Sequence, residues 1–292
     1  MQDRIIIKKN SSRLEVVNKI KQFEEEGRFY EDVENDPPGE TIKAGEVDYL
    51  RKRLSSRVYA YTAYKIARRF LNKMIKNKKI IVKDIIGTEN LSGLKTGAIM
   101  TCNHFNAYDS FAIQMAYEAS ISNWKKKRFY RVIKEANYTS FPGFYGFLMR
   151  HCYTLPLSSS PKAMGEMMKS VDTLLKEGHL VLVYPEQSMW WNYRKPKPLK
   201  KGAYRFAVKS NVPIVPCFIT MQDSNIVDDD GFKVQEYTIH IEKPIYPKEG
   251  VSQGDNMDYL LEENYRIWKN IYEATYQTKL EYTTKEEVRA QM

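Results

Sequence analysis

The stretch Gly97-Ala98-Ile99-Met100-Thr101-Cys102-Asn103-His104 runs from an apolar strand straight into a polar turn, and Asp109 opens the helical run Ser110 to Glu118 that follows. Loops at strand ends are where α/β folds set reactive groups. A histidine in such a turn can take a proton from an attacking hydroxyl near neutral pH. A carboxylate bonded to its other ring nitrogen fixes the tautomer and stabilises the imidazolium. His104 and Asp109 supply both parts locally. On one continuous helix their side chains would point about 140° apart, so the pair needs a turn between them. From spacing alone the plainer reading is the stronger one: a loop histidine followed by an aspartate that merely caps a helix.

Outward from this stretch, short β-rich runs alternate with helical ones. This predicts an α/β fold, a mixed central β-sheet flanked by helices. Candidate strands are Ile80 to Ile86, Ala98 to Cys102, Phe129 to Ile133, Leu180 to Tyr184, Pro213 to Ile219 and Val234 to Ile241. The clearest helix is Pro161 to Glu177, with Pro in the first turn, a face of Met164, Met167, Met168, Val171, Leu174 and Leu175, and Gly178 as terminator. A final helix is expected over roughly Asn256 to Leu280, followed by a polar tail.

Upstream, residues 1–45 read as a charged N-terminal arm in which Asp36-Pro37-Pro38-Gly39 stops any helix begun near Leu14. Residues 46–79 lack Gly and Pro and repeat apolar residues at helical spacing, which predicts one amphipathic basic helix or two. This segment carries eleven Lys or Arg against Glu46 and Asp48, with Tyr59, Tyr61 and Tyr64 interleaved. Such a composition suits an anionic lipid interface, while the apolar stripe equally suits packing on the body.

The chain has 292 residues, 42% of them hydrophobic, which is enough to bury a core in one large domain or two small ones. Its formal charge of +10 implies an anionic partner and does not choose among nucleic acid, anionic lipid and an acidic carrier protein. Cys102, Cys152 and Cys217 lie about 50 and 65 residues apart, without the paired spacing of a zinc site. No secretory signal and no run of about 18 uncharged apolar residues occurs, so the expectation is a cytoplasmic, peripheral protein without metal.

Four segments in order resemble the glycerolipid acyltransferase family over roughly residues 86–245: Asn103-His104 with Asp109, then Pro142 to Arg150, then Tyr184-Pro185-Glu186-Gln187-Ser188, then Val212-Pro213-Ile214-Val215-Pro216. Each block is weak and their order is specific. The resemblance implies an acyltransferase domain, placed at residues 80–292, and the basic composition of residues 46–79 marks them as its membrane-docking region. The resemblance also implies that His104 deprotonates an acceptor hydroxyl that attacks an acyl thioester directly, that Asp109 orients the imidazole, and that Glu186 helps to place the acceptor. The expected acceptor is a lysophospholipid, 1-acyl-sn-glycerol 3-phosphate above all. The donor is acyl-CoA or an acyl-carrier protein, no cofactor is bound, and the protein works at a membrane phospholipid surface on the inner face of the cell membrane.

Two departures bear on the acceptor. Where relatives that use lysophosphatidate carry an arginine in the second block, this chain reads Thr154-Leu155-Pro156-Leu157-Ser158-Ser159-Ser160. In the third block Gln187-Ser188 replaces Gly-Thr and runs into Met189-Trp190-Trp191-Asn192-Tyr193. Cations that could meet a phosphate follow Glu186 at Arg194, Lys195, Lys197, Lys200 and Lys201, with Lys134 and Arg150 further candidates; the binding set taken from these is Lys134, Arg150, Arg194, Lys200 and Lys201, together with Asn103, Glu186, Gln187 and Ser188. Lys125-Lys126-Lys127-Arg128 reads as a solvated run, with contact to phospholipid head groups or an acidic acyl carrier protein as the alternative, and His151, His179 and His240 read as ordinary structural histidines. One competing class is a nucleic-acid binder, which leaves the ordered blocks unexplained. Another is a catalytically silent lipid-binding relative, against which the presence of both His104 and Asp109 argues. A different (glyco)lipid or polyol acceptor is the remaining alternative, and no nucleic-acid partner is expected.

Overall fold

A computed structural model describes residues 9–35, 38–123 and 126–285; Asp36 and Pro37 of the expected helix stop, and Lys125 of the basic run, lie outside these residues. The chain starts with α1 (Ser11–Glu25) and α2 (Leu54–Lys76). Strands and helices then alternate as β1 (Ile81–Ile86), α3 (Thr88–Ser92), β2 (Ala98–Thr101), α4 (Asp109–Ser120), β3 (Phe129–Ile133), α5 (Glu135–Thr139), α6 (Gly143–His151) and β4 (Thr154–Pro156). The remainder is α7 (Pro161–Lys176), β5 (Leu180–Val183), α8 (Gly202–Ser210), β6 (Ile214–Val227), β7 (Lys233–Ile241) and α9 (Gln253–Tyr276).

The strands form one seven-stranded sheet in the order β1-β7-β6-β2-β5-β3-β4. Strands β2 to β6 run parallel, β7 returns antiparallel to β6, and β1 lies parallel to β7, so the sheet is mixed as expected. Both faces of its centre are covered, which is why β2 and β5 read as unbroken apolar runs. Ile99, Val181, Ile214 and Phe218 point into a layer shared with α7, α8 and α9, whereas Met100, Leu182, Cys217 and Ile219 point into one shared with α4. Gly87, directly after β1, stands at φ +84°, and a Cβ there would lie 2.0 Å from the Ile241 carbonyl oxygen, so only glycine fits where β1 ends.

Several boundaries shift for local reasons. The helix expected from residue 46 begins at Leu54, because the Asp48 carboxylate accepts from the amides of Lys52 (3.0 Å) and Arg53 (2.9 Å) and Arg51 sits at φ +54°. The last helix runs from Gln253 rather than Asn256, with Ser252 accepting from the Asp255 amide, and stops where Gln277 adopts φ +51°. Strand β4 escaped the sequence reading, since three residues carry no periodicity. Lys127 and Arg128, expected in solvent, are partly buried, and Lys127 donates to the carbonyls of Leu94 (2.8 Å) and Thr96 (3.0 Å).

Helix α2 packs through Ala60, Ala63, Ala67 and Leu71, while Leu54, Val58, Tyr59 and Tyr61 remain exposed beside Arg57, Lys65 and Arg69. No helix among the described residues is long and apolar enough to cross a membrane. The residues read as an arm fold onto the body. Ile20, Phe23, Phe29 and Val33 enclose Trp190 in a cluster of their own, and the Thr283 amide near the other end of the chain donates to the Glu24 carboxylate at 2.9 Å.

Candidate active site

Strands β2 and β5 are parallel neighbours in register, with Thr101 opposite Val183, so the segments leaving their carboxyl ends emerge side by side. One is the turn Cys102 to Tyr108 and the other begins Tyr184-Pro185-Glu186. Adjacent parallel strands thus join the first and third blocks, about 80 residues apart in sequence, at the position where open α/β sheets place their ligands.

His104 Nδ1 lies 2.7 Å from Asp109 Oδ2. The same oxygen accepts from the amides of Phe105 (3.1 Å) and Asn106 (3.3 Å), and Oδ1 accepts from the Tyr184 hydroxyl at 2.7 Å. Asp109 is therefore no helix cap; it is the first residue of α4, 1% exposed, and its carboxylate faces back into the turn. An ionised carboxylate offers only lone pairs, so Nδ1 carries the proton and Nε2 presents its own lone pair outward. The His104 side chain is 23% exposed, which leaves that edge reachable.

Tyr184 also stacks on the imidazole, with ring centroids 4.1 Å apart and planes 18° from parallel. Burial, then the neighbouring Asp109 charge, pushes its hydroxyl well above the usual tyrosine range, so it stays a donor to Asp109 at neutral pH. Cys102, one residue before the turn's Asn103, is fully buried with its thiol likewise pushed up, which makes it inert as a nucleophile.

Glu186 holds the turn from the other side. Its Oε2 accepts from the His104 amide at 2.9 Å and its Oε1 from the Lys197 amide at 2.8 Å, with the residue only 2% exposed. Burial raises its pKa, and the nearby Lys197 charge opposes that rise. Lys197, read from sequence as a phosphate contact, has no exposed surface. Its ammonium donates to the Ser188 carbonyl (2.7 Å), the Ser188 hydroxyl (2.9 Å) and the Phe29 carbonyl (3.2 Å). Burial brings its pKa down to about 8 while Glu186 resists the fall.

The remaining candidates divide by what engages them. Asn103 is buried, donating to the Ile219 carbonyl (3.0 Å) and accepting from the Ile219 amide (2.8 Å), so its side chain extends the ladder between β2 and β6. Ser188 is buried and its hydroxyl also donates to the Phe29 carbonyl at 3.1 Å, whereas Gln187 is exposed at φ +64°. Arg150 donates to the carbonyls of Tyr138 and Phe141, Arg194 pairs with Asp223 at 2.6 Å, Lys195 pairs with Glu24 at 2.7 Å, and Lys201 pairs with Asp258. Lys200 lies over the Tyr30 ring, 3.6 Å from its centroid, and Lys134 pairs with Asp32 at 2.6 Å. The structure thus brings together His104, Asp109 and Glu186, and adds Tyr184 and Lys197, whose roles the sequence reading missed. Tyr184 opened a quoted block, but nothing in one dimension shows a stacked ring.

A histidine fixed by a buried carboxylate at the end of a central parallel strand is an arrangement that can act as a general base. A model of the acyltransferase family matches residues 80–220, the span that holds all four blocks. Among curated proteins, the chain is 26% identical over 185 residues to the chloroplastic 1-acyl-sn-glycerol-3-phosphate acyltransferase BAT2 of Brassica napus, covering 62% of this chain and 48% of that protein. It is also 26% identical over 137 residues to a 1-acyl-sn-glycerol-3-phosphate acyltransferase of Saccharomyces cerevisiae, covering 47% and 42%. The chain therefore spans about half the length of these relatives. Among solved structures, the 1-acyl-sn-glycerophosphate acyltransferase PlsC of Thermotoga maritima aligns at a TM-score of 0.48 and 19% identity, covering 76% of this chain and 85% of that one.

Proposed function

We propose that this protein transfers a fatty acyl group from an acyl thioester to the free hydroxyl of a lysophospholipid, with 1-acyl-sn-glycerol 3-phosphate as acceptor and phosphatidate as product. The observation that carries this reading is the His104–Asp109 pair at 2.7 Å on a histidine whose side chain is 23% exposed. Nε2 takes the hydroxyl proton as the oxygen attacks the thioester carbonyl. The tetrahedral intermediate then expels the thiolate, and the imidazolium returns the proton to sulfur. Asp109 steadies the transient imidazolium through Nδ1, and the face of Tyr184 adds a favourable quadrupole. A thioester is already activated, so no acyl-enzyme is needed.

The donor is acyl-CoA or an acyl-carrier protein. The acceptor phosphate meets Lys134 or Lys200, which lie against Asp32 and Tyr30, in place of the arginine missing from the second block. Docking on the membrane surface uses the outward face of α2, where Leu54, Val58, Tyr59 and Tyr61 stand among basic residues. Such a face gains from both apolar insertion and anionic headgroups.

The deciding assay presents a radiolabelled acyl thioester with lysophosphatidate, other lysophospholipids, glycerol 3-phosphate and uncharged lysolipids, for wild type and His104→Ala. Transfer to lysophosphatidate that disappears in the variant is the expected result. Transfer confined to another acceptor would overturn the substrate, and transfer that survives in His104→Ala would overturn the mechanism.

A further inference from the structure

The His104 peptide is gripped on both sides by one loop. Its N–H donates to Glu186, and its carbonyl accepts from the Trp190 amide at 3.1 Å; one residue on, the Phe105 carbonyl accepts from the Asn192 amide at 2.8 Å. Both Glu186 oxygens are taken by backbone amides. The loop itself bends through left-handed positions at Gln187 (φ +64°) and Asn192 (φ +52°), conformations that non-glycine residues hold only when their surroundings enforce them. What lies beneath the loop is Lys197, whose three N–H donors face three oxygens from two distant segments, Ser188 in the loop and Phe29 near the amino terminus.

We propose that Lys197 is a positioning residue for His104. Its ammonium clamps the loop that follows β5 onto the amino-terminal segment, and Glu186 passes that position to the catalytic turn. A buried ammonium is costly to desolvate and persists only where its donors are filled and an opposite charge is near. Here Glu186 supplies the charge and the three oxygens fill the donors, so clamp and carboxylate stabilise each other. Removing the ammonium leaves the Phe29 and Ser188 carbonyls without this donor and the Glu186 carboxylate without its countercharge. The loop then relaxes and carries the His104 peptide with it. A displacement of about 1 Å at the imidazole lowers turnover by on the order of 10²-fold. Because neither Lys197 nor Glu186 reaches substrate in this account, affinity stays.

This inference rests on the acyl-transfer reading only for its kinetic arm, so two readouts are paired. In the first, kcat and KM for both substrates are measured for wild type, Lys197→Met, Glu186→Gln and the double variant. The expected result is a kcat loss of roughly 10- to 100-fold in each single variant, KM within about threefold, and a double variant no slower than its slower parent, since both act through one path. In the second, histidine-selective 15N NMR follows the Nδ1–H signal of His104, assigned by its absence in His104→Ala; it should broaden or vanish in Lys197→Met. Losses that multiply in the double variant, a rise in acceptor KM at constant kcat, or an unchanged Nδ1–H signal would each overturn the role. If wild type transfers nothing yet Lys197→Met disturbs the signal, the function is wrong and the positioning stands. Should Lys197→Met fail to fold, Ser188→Ala decides: a several-fold fall in kcat is expected, and an unchanged kcat counts against the clamp.

Discussion

The turn after β2 and the loop after β5 leave neighbouring strands at the same end of the sheet, yet they are held in place differently. The turn builds its His–Asp pair from its own residues: Asp109 collects the His104 ring and the amides of Phe105 and Asn106, all within a few residues, while the loop bonds its backbone. The loop relies on both ends of the chain. Phe29 stacks on Trp190 at 5.7 Å, and the Tyr282 hydroxyl donates to the Pro196 carbonyl at 2.6 Å. Chemistry that needs two groups is encoded locally here, while the rigidity that chemistry needs comes from contacts more than 80 residues apart in sequence.

The contrast is broken first at its chemical half. His104→Ala should lower acyl transfer by roughly 10²- to 10⁴-fold and cost little stability, because Asp109 keeps the Phe105 and Asn106 amides and the Tyr184 hydroxyl when the imidazole is gone. Comparable loss of stability would show that the turn is as structural as the loop. Trp190→Ala tests the other half. A fully buried indole whose Nε1 donates to the Glu31 carbonyl at 3.0 Å should cost about 3–5 kcal/mol in denaturant unfolding, and turnover should fall as the loop loosens. Full activity in a folded Trp190→Ala protein would separate the loop from catalysis.

Tyr184→Phe joins the two regions. It keeps the stack on His104 and deletes one hydrogen bond to a carboxylate that retains three other donors, so about 1–2 kcal/mol, on the order of tenfold in kcat, is expected with unchanged KM. The smallest effect concerns residues outside both regions. Burial, the largest cause for each, holds the pKa values of His151, His179 and His240 below the ordinary imidazole range. In acid the unfolded chain takes up these protons before the folded one does, so stability should fall as pH drops below about 6.5. His240→Gln should flatten the melting temperature measured between about pH 7.5 and 5.5; an identical slope would remove that histidine from the account.

Most of the sheet was legible because buried parallel strands write themselves as short apolar runs. Strand β4 was not, since its three residues depend on β3 for their pairing. The start of α2 was hidden because nothing in the composition of residues 46–53 announces that the Asp48 carboxylate will bind two amides and end the helical pattern there. Among the cations near the third block, charge was visible and allegiance was not. Arg194, Lys195 and Lys201 each found an acidic side chain, and Lys197 turned inward.

The sequence by itself determined the α/β class, the position of the histidine and its carboxylate, and the acyltransferase likeness, because each rests on short-range pattern: short apolar runs, a strand-end turn, residues a few positions apart. Only the tertiary structure decided that Tyr184 backs the imidazole, that Glu186 binds two amides, and that the amino-terminal segment reaches the site through a buried lysine. Those facts depend on which strands become neighbours and which polar groups lose their water. A chain settles them only once its core has formed, since an ammonium or carboxylate takes a fixed partner when burial leaves it no alternative.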